Sequence, residues 1–444
     1  MFLGACRLTK RLLIVVVGLC ASLNILSCGG SSSSTPILPN RVLASQGVAP
    51  AGRLVIINGK NDTIPRVNPL NGGNSPGLIV LSPTRSIAAT FDSSTNTVFA
   101  VNTAKQSSIG NGVPLPGPTS SIVVPTTDPT GYAAVPTAVV NGFAFLGAVE
   151  VLNFSTGSLT TIAVSNAQTV VSNSQGTQLL VFSPDSDAVT VLFPGAAVPP
   201  VDTGCYTNPP NSVCTIVNDS RFSRPVNAII NGTTAYILNC GFECGGTLPS
   251  GAPAPASVAV FDLGSLSITQ TVTVDAATMA LLNGSTLYVA GNPANNPCPS
   301  TQSTAATNCG TLDVVDLTSM QVTSSAAITD GYHDRMDMTT NGQLFVGSRR
   351  CTNVGNVNNP TGGEIRGCLS IYNTSTGSVI IPPDNGDVTG LQSFTTRNVE
   401  YVAEGGQLRV YDTTKDILLI NDFVPQGTID IVGFVDDVKA IDFF

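Results

Sequence analysis

Asn227-Ala228-Ile229-Ile230-Asn231-Gly232-Thr233-Thr234-Ala235-Tyr236-Ile237-Leu238-Asn239 reads as two short strands joined by a tight turn. Asn-Gly between alternating apolar residues is a strong hairpin signal, because the turn needs positive φ at its centre. The same phrase returns as Val139-Val140-Asn141-Gly142, Leu281-Leu282-Asn283-Gly284 and Thr339-Thr340-Asn341-Gly342. An aromatic follows each Asn by four or five positions: Phe145, Tyr236, Tyr288 and Phe345. A second element, apolar-x-apolar-apolar-Asp/Asn, closes at Asn153, Asp262, Asp316, Asn373 and Asp412. The last four of these are spaced by 54, 57 and 39 residues, with loop length absorbing the difference. Short strands repeating at that period predict an all-β chain folded as one β-propeller of four-stranded antiparallel blades.

In the best copy, strand A (innermost) covers 225–231, B 234–239, C 258–261 and D 268–274. The next copy follows at 279–282, 286–290, 312–315 and 322–328. Weaker units come earlier: 86–102 as strands A and B, 134–164 as a whole blade with Asn141-Gly142 as its A–B turn, and 169–193 as a degenerate blade. A compact blade covers 389–423. The leftovers 54–58, 63–67 and 429–444 are strand-like and predict a composite blade built from both chain ends. With the unit that carries Asn341-Gly342 and Asn373, seven units lie between Ser86 and Phe423, and the composite makes eight blades, with seven the runner-up.

Composition agrees with this reading. The chain has 444 residues, with 43 Gly, 30 Pro and only 11% charged residues, as many turns and uncharged strands require. Arg7, Lys10 and Arg11 followed by the apolar stretch 12–21 read as a targeting segment over residues 1–27. Taking those three cations from the chain's 19 leaves 16 against 28 acids, a balance of −12. That disfavours nucleic acid as a partner. Ile25-Leu26-Ser27-Cys28 resembles the lipobox of bacterial lipoproteins. The resemblance implies diacylation of Cys28, a lipid-anchored protein of the bacterial cell envelope (outer membrane or cell surface), and a Ser/Pro linker over 28–50 before a propeller domain at 51–444.

Eight cysteines remain, falling in order as Cys205/Cys214, Cys240/Cys244, Cys298/Cys309 and Cys351/Cys368. Each pair brackets a Gly, Pro, Asn and Thr-rich insertion, so sequential disulfides are expected in an oxidising compartment. Eight cysteines also allow other connectivities, and Cys240-x3-Cys244 has the spacing of half a zinc site. The insertions at 240–256, 291–310 and 350–367 are all B–C loops, which places three of the four pairs on one face.

Val258-Ala259-Val260-Phe261-Asp262 and Leu408-Arg409-Val410-Tyr411-Asp412-Thr413-Thr414 resemble the YVTN-type propeller repeat of bacterial surface proteins, related to lactonase-like propellers. The resemblance implies the fold and leaves activity open. The single histidine, His333, begins an innermost strand with Asp334 and Arg335, and Arg224 and Asp275 hold similar positions in other blades. These five form a candidate ligand-binding ring at the channel mouth. Asp262, Asp316 and Asp412 recur with the blade period and read as turn formers, and the acidic turns at 185–187 and 384–387 as solvated. One histidine, no Gly-x-Ser-x-Gly phrase and no Trp weigh against catalysis, so no catalytic residue, metal or cofactor is expected. The reading favoured is a non-catalytic scaffold binding a protein, peptide or glycan. A lactonase-like hydrolase with an axial cation and a structural envelope component are the alternatives.

Overall fold

The computed structural model describes residues 40–47, 52–194, 206–208, 212–293, 309–351, 368–382, 386–394, 396–421 and 424–442. The targeting segment, Cys28, Cys205 and Cys298 lie outside the described residues. Seven antiparallel sheets of four or five strands and one of three follow one another along the chain. The first strand of each blade touches the first strand of the next. The series runs from Pro76–Leu81 in blade 1, through Ser121–Val123, Thr169–Ser172, Pro225–Asn231, Met279–Asn283, Tyr332–Met338 and Val388–Phe394, to Phe434–Ala440 in blade 8. That last strand touches Pro76–Leu81 again, which closes an eight-bladed ring. The described residues contain no α-helix, only the 3-10 turn Gly241–Cys244.

Blade 8 is the composite. The carboxy-terminal strand Phe434–Ala440 lies innermost and pairs with Arg41–Gly47, which pairs in turn with Arg53–Asn58. Arg41–Gly47 is therefore the middle strand of the closing blade, although the sequence reading places it in the linker. Residues 63–67 form no strand. Thr63 makes one bridge to Asn58, and Leu70 one bridge to Leu54. Pro65 offers no N–H there to extend the ladder.

Eight apolar clusters, one between each pair of neighbouring blades, hold the ring together. The alternation along a strand makes this possible. In blade 4, Ala235 and Ile237 pack toward blade 3, whereas Tyr236 and Leu238 pack toward blade 5. Side chains also tie the innermost strands to one another. Asp337 accepts from Ser393 N, Gln392 Oε1 from Ala440 N at 2.8 Å, and Asp437 Oδ2 from Ile79 N at 2.8 Å. These three contacts run without a gap from blade 6 to blade 1.

The Asn231-Gly232, Asn283-Gly284 and Asn341-Gly342 turns join strands A and B as expected. A Cβ on Gly232 would meet nothing within 4 Å, so its φ of +61° is what requires glycine. The earliest copy is displaced by one strand. Asn141-Gly142 follows strand B of blade 2 (Thr130–Val139) and precedes strand C, and Phe145 lies in that turn. In blade 1, likewise, residues 86–102 supply strands B and C, with Pro76–Leu81 as strand A. The Asp/Asn residues closing strand C are turn formers. Asp262 accepts from Ser265 N at 2.6 Å, Asp316 from Thr318 N at 2.9 Å, and Asp412 from Thr414 N at 2.9 Å. These bonds hold the Asp262 and Asp316 carboxyls below their ordinary pKa. Four residues beyond each Asp, at Leu266, Met320 and Asp416, φ is positive, so the turn repeats even where glycine is missing.

Candidate functional site

Because strands alternate in direction, every B–C and D–A connection leaves the same rim of the ring. The insertions after Asn239, Gly291 and Arg349 are all B–C connections and share this upper rim. Cys240–Cys244 and Cys351–Cys368 are disulfides there. Cys214 and Cys309 are also disulfide-bonded. Cys214 sits on strand D of blade 3, after a C–D insertion that leaves the opposite rim.

Two cavities lie on the axis. A mouth of about 520 Å³ opens among the upper ends of the innermost strands and is lined by Asp334, Arg335, Arg349, Arg350 and Asp436. A lumen of about 530 Å³ continues below it, lined mainly by apolar residues that include Leu78, Val80, Ile122, Val124, Met336 and Leu391. Leu78, Asp334 and Arg335 border both, so the Asp334–Arg335 pair forms a collar between them.

Of the five residues proposed for a ring, the structure brings only Asp334 and Arg335 to the axis. Arg335 donates through Nε to Thr389 O at 2.6 Å and through NH1 to Asp334 O at 2.8 Å. The Asp334 carboxylate pairs with Arg335 at 3.3 Å and with Arg349 at 3.0 Å. Burial pushes the Asp334 carboxyl above its ordinary pKa, while the two guanidinium groups pull it back. Asp334 Oδ1 has no hydrogen-bond partner, and Arg349 Nε meets Asp334 without hydrogen-bond alignment.

His333 is fully buried and turned away from the mouth. Its Nε2 lies 2.8 Å from Thr329 O, an acceptor, which fixes the neutral ring with its proton on Nε2. Burial pushes its pKa down to about 4, opposed by the Thr329 carbonyl and by Asp330. Arg224 points sideways to Asp187 at 4.0 Å, on the neighbouring blade. Asp275 is exposed and uses its backbone N–H, which donates to Asp313 Oδ2 at 2.6 Å. Neither residue lines the axial cavities.

Sequence reasoning missed Arg349, which ends strand B of blade 6, and Arg350, which follows it. Their signal is a doubled cation, Arg349-Arg350, immediately before an insertion in a chain poor in charge. It missed Glu243 as well. That carboxylate accepts from Asn292 N and Nδ2, both at 2.9 Å, while Asn292 Nδ2 also donates to Gly331 O at 2.7 Å. Blades 4, 5 and 6 are thus clasped at the upper rim, and burial pushes the Glu243 pKa up to about 7. Among the described residues, no three His, Cys, Asp or Glu side chains are grouped to hold a metal.

No family model matches the chain, and no curated protein matches it. Solved structures do. The Dos1 propeller aligns with a TM-score of 0.53 at 10% identity, covering 81% of this chain and 86% of that one. The dihydro-heme d1 dehydrogenase NirN in complex with DHE aligns with a TM-score of 0.53 at 9% identity, covering 91% and 75%. At such identities the likeness is one of fold.

Proposed function

We propose that this chain is an exported lipoprotein, acylated on Cys28, whose propeller serves as a non-catalytic binding scaffold in the bacterial cell envelope. It engages a protein, peptide or glycan through its upper rim. The observation that carries this reading is the bias of the long insertions toward one rim, with the C–D insertion before Cys214 leaving the other. Three long B–C insertions start from one rim, which also carries the Cys240–Cys244 and Cys351–Cys368 disulfides, and loops set on a rigid scaffold are where binding residues concentrate. The axial acids also support binding over hydrolysis. Asp334 is occupied by Arg335 and Arg349, and Asp437 by Lys439 at 3.1 Å and Ile79 N. The likeness of the strand phrases to YVTN-type surface repeats points the same way.

Two measurements test this. Labelled palmitate should be incorporated by the intact chain and lost on Cys28→Ser. Binding of envelope components to the purified protein should be lost when the 245–254 loop is shortened, and kept when Asn283-Gly284 on the opposite rim is replaced. Equal binding by both variants, or no acylation, rejects the corresponding half of the proposal.

A further inference from the structure

The two axial cavities differ in chemistry although they share a border. The mouth holds three of the chain's arginines against Asp334 and Asp436, in a protein that is otherwise acidic. The Arg350 side chain is exposed, and its backbone N–H, not its guanidinium, donates to Asp387 Oδ1 at 2.7 Å. Arg349 Nε, 3.0 Å from Asp334 Oδ2 but not aligned with it, is a buried donor that a bound anion can satisfy, whereas Asp334 Oδ1 is an acceptor for water or another donor. The lumen below is mainly apolar and takes its walls from seven of the eight blades. Along strand A of blade 1, a rise of ~3.3 Å per residue sets Leu81 about 10 Å below Leu78.

We propose that the axial channel binds a single-chain amphiphile with an anionic head. Its carboxylate sits at Arg349 and Arg350 in the mouth, and its aliphatic tail descends past the Asp334–Arg335 collar into the lumen. Guanidinium groups suit the head because they bind a carboxylate with two parallel donors. The wall suits the tail because apolar residues such as Leu78, Val80, Ile122, Val124, Met336 and Leu391 make up most of it, and its charged members Asp437 and Lys439 are paired with each other at 3.1 Å. Arg335 serves as a positioning residue, since Thr389 O and Asp334 O already hold its guanidinium at the collar. Arg350 opens the blade 6 insertion, so the mouth borders the upper rim; binding of a fatty acid by the purified chain, which needs no envelope component, tests this site apart from the scaffold reading.

The test is calorimetric titration of the full chain carrying Cys28→Ser, which cannot be acylated, with butanoate, hexanoate, octanoate and decanoate. Each added methylene should strengthen one-to-one binding about fourfold until the lumen is filled. Arg350→Gln, an exposed position whose change leaves the fold intact, should weaken decanoate binding roughly tenfold. Decyltrimethylammonium, with the same tail and a cationic head, should bind far more weakly than decanoate. Affinity independent of chain length overturns the lumen assignment. Equal binding of the two heads, or no effect of Arg350→Gln, overturns the assignment of the mouth, and absence of decanoate binding overturns both.

Discussion

Deleting residues 434–444 should unfold the protein even though it removes only one strand. That strand is the innermost of blade 8 and touches the innermost strands of blades 7 and 1. Val435, Val438 and Ile441 are at most 3% exposed, and full burial of each such side chain contributes about 1.5–3 kcal/mol. Their loss alone therefore costs about 5–9 kcal/mol. Asp437 leaves with them, taking its hydrogen bonds from Ile79 N and Lys439. The Arg41–Asp442 ion pair at 2.6 Å is lost as well, which leaves the Arg41 guanidinium only its bond to Thr103 O. A domain's whole stability is about 5–15 kcal/mol, so the deletion consumes most or all of it. Urea unfolding followed by tyrosine fluorescence and near-ultraviolet dichroism reads this directly. The deleted chain should show no cooperative transition, and a peptide covering 434–444 should restore one in a concentration-dependent way. A deleted chain with the wild-type midpoint and slope would show that the ring is not sealed by this strand.

Asp62 joins blades 7 and 8 by accepting from both Arg397 terminal nitrogens at 2.7 Å and from the Tyr401 hydroxyl. Asp62→Ala leaves Arg397 NH2 and the Tyr401 hydroxyl without their acceptor, while NH1 keeps Gly59 O, and should cost about 3 kcal/mol in urea unfolding. Glu400 is fully buried, both its carboxylate oxygens lack partners, and burial raises its pKa well above the ordinary value. Below the ordinary carboxyl range both folded and unfolded chains hold this proton. As pH climbs past that range only the unfolded chain releases it, so stability falls. Glu400→Gln should therefore raise the unfolding midpoint at pH 7 and leave it nearly unchanged at pH 4. Removing the Cys351–Cys368 bridge, with a separation of 17, should cost roughly 3 kcal/mol. Removing Cys240–Cys244, with a separation of 4, should cost roughly 2 kcal/mol, so thermal melts of the two double-serine variants should rank in that order.

The fold was legible wherever a local signal and a spatial role coincide. Asn-Gly followed by an aromatic marks an A–B hairpin in blades 4, 5 and 6 because that turn is tight there and strand B packs between blades. The dipeptide marks a turn without saying which two strands it joins. In blade 2 strand B runs on to Val139, with a register shift between Val135 and Val139 that includes Pro136, and the same Asn-Gly closes its other end. Arg41–Gly47 escaped notice for a different reason. Arg-Val-Leu-Ala-Ser-Gln-Gly has no repeat phrase around it, and its partner strand is some 390 residues away in sequence.

The axial site was harder to read because its wall is not a sheet face. Alternation tells which side of a strand meets a neighbouring blade, whereas the lumen is lined along the inner edge of each first strand. Leu78, Ile122, Met336 and Leu391 thus carry no pattern separating them from core residues. His333 drew attention as the only histidine, and a single irregularity decides its fate. The register of strand A in blade 6 shifts between His333 and Arg335. Asp334 and Arg335 therefore both line the axis, while His333 is sent back between blades 5 and 6. A Cβ on Gly310 would collide with Thr329 O and lie 3.0 Å from His333 Cε1, so glycine there makes room first for that carbonyl and then for the ring bonded to it. The bulge converts the most reactive-looking side chain of the sequence into a wedge of the wall and gives the mouth to its charged neighbours. His333→Leu should accordingly disturb stability more than any ligand held at the axis.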